Sequence, residues 1–257
     1  DDTNNKVLNC GTINAGSIES PIYFKNRGTI VVQNAIKADA GFNNENTNAK
    51  ITADKLIVEK TFNNKGNINV NSITANLNSN KNLVNDGASA NIHANQIDVT
   101  SGGITNKGTI TSNNKNSKLE ISSAGNVNNM GSLLNIGSLT SNNGVTNATG
   151  AIIQTDKINN TRGNIINNGS LKSTTEINSV GNIDNYGDLK TKNLISNTRL
   201  YNRQGATLET ENIDGATGTI SNYGTLTNKN EIKSDGAIYN KGHLKSYSLV
   251  SKSTVTN

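Results

Sequence analysis

The chain of 257 residues has no tryptophan, one cysteine, one proline, one methionine, two histidines and three phenylalanines. Each scarcity excludes something. A single cysteine rules out an internal disulfide framework and a cysteine-cluster metal site. That residue, Cys10, has no histidine near it in sequence to favour the thiolate, so it reads as an exposed free thiol rather than a nucleophile. Pro21 stands beside Ile22, which suits a corner or the start of a strand. His93 and His243 lie too far apart in the chain to share a Ser-His-Asp constellation. The net charge of +5 is spread thinly, without a run of five or six like charges, which disfavours nucleic acid and polybasic membrane contact. No apolar stretch approaches the roughly 18 residues of a membrane span, and no signal peptide opens the chain. Apolar residues make up only 32%, close to the level at which disorder becomes the rule.

What is abundant is asparagine, 50 residues, and it is periodic. The stretch Ile220-x-Asn222-x-Gly224-x-Leu226 is rewritten along the chain as apolar-x-Asn-x-Gly-x-apolar. Anchoring on the Asn gives thirteen copies: Asn9, Asn26, Asn44, Asn64, Asn85, Asn106, Asn129, Asn147, Asn167, Asn185, Asn202, Asn222 and Asn240, spaced by 17 to 23 residues. The position two before the anchor is apolar in every copy, from Val7, Phe24, Phe42 and Phe62 through to Ile238. Gly follows two after the anchor in ten copies, and Gly150 and Gly205 arrive one residue late. A second apolar column runs Ile13, Ile30, Ile51, Ile68, Ile92, Ile110, Leu133, Ile152, Leu171, Leu189, Leu208, Leu226, Leu244. A third runs Ile18, Ile36, Leu56, Ile73, Ile97, Leu119, Leu139, Ile158, Ile177, Leu194, Ile213, Ile232, Leu249. Disorder has no reason to keep three columns in phase, so the chain reads as one unit stacked on itself.

The patches are rich in Ile, Val and Leu with local period-two alternation, and interior Asn and Gly oppose helix. The fold class is therefore all-β: a single-stranded parallel β-helix, or β-solenoid, of about thirteen coils of 17–23 residues with three short strands each. Residues 1–6 form a polar edge. Residues 7–257 form one continuous solenoid, with longer loops over 44–128 and regular coils over 129–257. At about 4.8 Å per coil the rod is expected to be about 60 Å long. The apolar-x-Asn of Val255-Thr256-Asn257 starts a further coil, so the chain reads as truncated at both ends. The anchor Asn sits two residues after an inward residue and so points inward itself. A buried amide needs partners, and the Asn above and below supply them as a ladder. Gly two residues on fits a corner that needs positive φ or has no room for Cβ. Phe24, Phe42 and Phe62 share a column and form an aromatic ladder.

The pattern, from Val7 to Asn257, resembles the filamentous-haemagglutinin repeats of two-partner-secretion exoproteins: bacterial adhesins and the stick proteins of contact-dependent growth inhibition. The resemblance implies a right-handed β-helix, export through an outer-membrane two-partner transporter, and a place on a secreted fibre at the bacterial cell surface. The family's secretion domain and any toxin domain are not in this sequence. The expected function is a non-catalytic structural and recognition segment binding a cell-surface protein or glycan receptor, with no cofactor, metal or nucleic acid. An autotransporter or phage fibre is an alternative owner of the same rod.

Another alternative is a polysaccharide lyase or hydrolase on a β-helix. It needs clustered carboxylates; Asp188, Glu209, Glu211, Asp214 and Glu231 come nearest, at differing offsets from the anchor. Asn-x-Ser/Thr occurs at Asn147, Asn159 and Asn168, as chance allows in an Asn-rich chain. Two sets of residues are candidates for binding. One is tyrosine beside four successive anchors, Tyr186, Tyr201, Tyr223 and Tyr239, with Arg203 and Lys241 in the intervening places. If the anchor points inward, these point outward in two short columns, about 10 Å between alternate coils. The other is the lengthened loops, with Asn76, Lys81, Lys115 and Lys118 as contact residues.

Overall fold

The computed structural model describes residues 6–78, 80–114, 116–215 and 218–257. Among them every regular element is a β-strand; there is no helix, and so none long and apolar enough to cross a membrane. Each strand pairs in parallel with its counterpart one repeat later, which makes the architecture a parallel β-solenoid. The chain divides into two compact units, Asp1–Asn126 with Gly131–Ile136, and Val127–Met130 with Gly137–Asn257.

In the first unit the anchor strands Lys6–Asn9, Tyr23–Asn26, Phe42–Asn44, Phe62–Asn64, Asn82–Asn85 and Gly103–Asn106 stack in chain order. Their register places Val7, Phe24, Phe42, Phe62, Leu83 and Ile104 in one row, and the anchor Asn from Asn9 to Asn106 in the next inward row. The second column runs from Ile13 to Leu133 as the repeat predicts. The three phenylalanines are fully buried, with ring centroids 5.9 and 5.7 Å apart; the first pair is stacked and the second tilted. In the second unit the anchor row runs from Val145 and Asn147 through Ile238 to Val255.

Two column assignments need correction. The row partner of Ile97 is Ile121, not Leu119. Both are buried in the strand Leu119–Ser123, two residues apart. A shift of two keeps a side chain on the same face, so residue type alone does not separate them. In the second unit it is Ile153, not Ile152, that pairs with Leu171; Ile153 is buried and Ile152 is exposed. Ile153 lies six residues after Asn147, where Leu171 lies four after Asn167, so the coil with the late Gly150 has a corner two residues longer, and Ile152, one short of the inward place, falls on the outer face. Asn76 is also not in a loop: it belongs to the strand Asn67–Leu77, opposite Glu59.

The anchor amides do form ladders. In the first unit each Nδ2 donates to the Oδ1 of the next anchor at 2.8–2.9 Å, from Asn9 to Asn106. In the second the same bond runs at 2.8–2.9 Å from Asn129 to Asn240, and Asn257 continues it at 2.6 Å. Many of the amides also close on their own coil. Asn26, for example, accepts from the Gly28 N–H at 3.2 Å and donates to the Gly28 carbonyl at 3.0 Å. The buried amide is thus satisfied on every side, as burial demands.

Of the two reasons for glycine after the anchor, want of space is the common one. A Cβ on Gly66 would stand 2.2 Å from the Ala49 carbonyl oxygen and 2.6 Å from that of Asn46. The late glycines are the opposite case: Gly150 and Gly205 have φ of +77° and +80° with open space around them. Gly66→Ala is therefore expected to lower stability by about 1–3 kcal/mol through overpacking, read as a fall in the urea midpoint. An unchanged midpoint would mean that the coils separate at no cost.

Candidate functional site

The side chains flanking the anchors of the second unit point outward, as the ladder requires. One residue before the anchor the register gives the row Asp184, Tyr201, Ser221, Tyr239. One residue after it come Tyr186, Arg203, Tyr223 and Lys241. The sequence pattern implies two separate tyrosine columns, and here the structure differs. Tyr201 and Tyr223, from opposite rows and successive coils, lean together and stack with centroids 5.1 Å apart and planes 7° from parallel. The guanidinium carbon of Arg203 lies 3.7 Å from the Tyr201 centroid and 4.9 Å from that of Tyr186. Arg199 sits 5.3 Å from the Tyr201 centroid, and Lys241 places its ammonium 5.9 Å from that of Tyr223. The edge is therefore one continuous patch of rings and cations. Each exposed cation–π contact contributes about 0.5–1 kcal/mol. Tyr186 and Tyr239 remain exposed, and Tyr239 stands outside the stack.

The residue that organises the patch, Asp184, was not singled out by the repeat. It is only 9% exposed, and its Oδ1 lies 3.3 Å from Nη2 of Arg199 and 3.8 Å from Nη2 of Arg203. One carboxylate thus lies within ion-pair distance of two guanidiniums that sit over the rings. The Nε–H of each arginine is buried without a hydrogen-bond partner, a cost of seating the two side chains there. The one available signal in the sequence is that Asp184 is the only acidic residue among the eight flanking positions. The Tyr201 phenol is held above its ordinary pKa, first by desolvation and then by its hydrogen bond and interaction with Tyr223, while Arg203 and Arg199 pull the other way. It stays a neutral donor and acceptor at physiological pH.

The loop candidates form no such patch. Asn76 donates to Glu59 Oε2 at 2.8 Å on an exposed strand face, Lys81 and Lys118 are exposed, and Lys115 lies outside the described residues. The carboxylates do not gather either. Glu209, Glu211 and Glu231 each pair with a lysine, namely Lys190, Lys229 and Lys233. Asp188 sits opposite Ser170 and Thr207, and Asp214 opposite Ile195 and Lys233. His93 lies in a row with Asn69 and Thr111 in the first unit, and His243 opposite Thr225 in the second. Cys10 is exposed, as its place beside an anchor implies.

The chain matches no protein-family model, no curated protein and no solved structure at a level that would show a relationship.

Proposed function

We propose that the chain is a non-catalytic structural and recognition segment of a secreted bacterial surface fibre, exported through an outer-membrane transporter. On this reading the stacked coils are the shaft, and the edge around Tyr201 contacts a cell-surface glycan or protein. The observation that carries the reading is the seating of Arg203 between Tyr186 and Tyr201, with the Tyr201–Tyr223 stack beside it. Those rings are packed against one another and against Arg203. Tyrosine offers contact area, a hydroxyl and little conformational entropy to lose, and a pre-ordered patch avoids that cost on binding.

The test is the double substitution Tyr201→Ser with Tyr223→Ser, assayed for attachment to cells that retain the parent protein. Attachment is expected to fall at least tenfold while the β-sheet circular dichroism is kept. Undiminished attachment with the fold intact removes this edge from consideration. Incubation with surface glycans is expected to leave them uncleaved; release of shortened chains would favour an enzyme.

A further inference from the structure

The second unit also carries an open cleft of about 360 Å³, built on a corner of the coil. In four successive coils that corner is a triplet: Lys172-Ser173-Thr174, Lys190-Thr191-Lys192, Glu209-Thr210-Glu211 and Thr227-Asn228-Lys229. The middle residue of each is buried and its neighbours face outward. Three of the middle hydroxyls tie the bend by donating to a carbonyl just past it: Ser173 to Glu176 at 3.0 Å, Thr191 to Asn193 at 3.1 Å and Thr210 to Asn212 at 2.9 Å. The outer residues thereby become two walls facing across a cleft. The register sets Lys172, Lys190, Glu209 and Thr227 along one wall. Four coils at about 4.8 Å per step make that wall about 14 Å long.

The charges on the walls are specific in kind. Lys190 pairs with Glu209 at 2.5 Å along one wall, and Lys229 with Glu211 at 2.8 Å along the other. Lys172 and Lys192, one on each wall, have no ion-pair partner among the described residues. The Glu211 carboxyl is held below the usual carboxylate range by its hydrogen bond from Lys229 first, with desolvation opposing and the charges of Lys229 and Lys192 adding to the effect. The cleft thus offers two ammonium groups outside any ion pair, two carboxylates, and a lining of threonine methyls and lysine stems. A densely anionic chain would bring its charges against Glu209 and Glu211. A neutral chain would leave Lys172 and Lys192 without a role. A sugar chain with no more than one carboxylate on each residue, and free hydroxyls between the carboxylates, can set its charges on the lysines and its hydroxyls on the glutamates.

We propose that this cleft binds an acidic oligosaccharide of the uronic-acid class, its carboxylates on Lys172 and Lys192 and its hydroxyls donating to Glu209 and Glu211. The site uses none of the residues of the Tyr201 edge and stands or falls apart from it.

The test is calorimetric titration of the whole protein with oligogalacturonate and with oligoalginate. The comparators are a neutral oligogalactoside, a heparin-derived tetrasaccharide and a short polyglutamate peptide. At least one uronate is expected to bind, at least tenfold more tightly than every comparator. In Lys172→Gln with Lys192→Gln, two exposed substitutions whose fold is checked by circular dichroism, that binding is expected to weaken at least tenfold. In Tyr201→Ser with Tyr223→Ser it is expected to stay unchanged. Absence of binding by both uronates overturns the proposal. So does a comparator that binds as well, or a lysine double variant that binds like the parent. Loss in the tyrosine variant alone would assign the sugar to the edge and overturn the cleft.

Discussion

Phe42→Ala is expected to lower the free energy of unfolding by about 3–5 kcal/mol. Phe42 is wholly buried and is the middle ring of three, so its removal strips contacts from Phe24 on one side and Phe62 on the other. The backbone rows Phe24↔Phe42↔Phe62 are fixed by ladder hydrogen bonds, so neighbouring coils cannot close the space by sliding. Phe42→Leu keeps most of the volume and is expected to cost less than half as much. Urea denaturation followed by circular dichroism measures both. Equal, small effects would mean that the column is loosely filled and the stack incidental.

Asn185→Leu is expected to cost about 1–3 kcal/mol for each group it orphans. Asn167 donates to Asn185 at 2.9 Å, and Asn185 donates to Asn202 at 2.9 Å. Both neighbours are wholly buried, so the groups left unpaired bear the desolvation cost of burial. The carbonyl of Thr207 loses a donor too, at 2.9 Å. Asn185→Asp separates the electrostatic part. It places a carboxylate against the Asn202 carbonyl, where burial and repulsion raise its folded pKa above the unfolded value near 3.9. A raised carboxyl pKa costs stability as pH climbs through the unfolded value, so this variant should be weaker at pH 7 than at pH 4 relative to the parent. A pH-independent difference would count against the ladder geometry.

These positions were legible in the sequence because the constraint acts on residue type. A parallel coil sets like residues over like, so Asn recurs over Asn and Phe over Phe. What the sequence hides are quantities that type does not encode. Ile152 and Ile153 are both apolar neighbours, and only the corner length after Asn147 decides which one faces in. Leu119 and Ile121 share a face, so only the register separates them. The outward direction of the tyrosines follows from the anchor, but the convergence of Tyr201 on Tyr223 depends on side-chain torsions, and the pairing of Asp184 with Arg199 and Arg203 on the packing of neighbouring coils. The cleft lies deeper still. A triplet such as Lys190-Thr191-Lys192 has the composition of any exposed turn until the bend shows that its threonine is the inward residue.

The amide ladders have a further property: within each unit every carboxamide faces the same way, its N–H toward the later coil and its carbonyl toward the earlier one. The orientation is locked locally. The Gly28 N–H, for instance, holds the oxygen of Asn26, so turning that amide over would set carbonyl against carbonyl on one side and N–H against N–H on the other. Sheets carry little net dipole of their own. A file of aligned amides adds head to tail, as peptide groups do in a helix, and each bond polarises the next. Each unit therefore has an electrical direction that its strands alone would not give it. A coil added to the stack in reverse would find the wrong pole waiting, so the amide beneath tells it which way to lie.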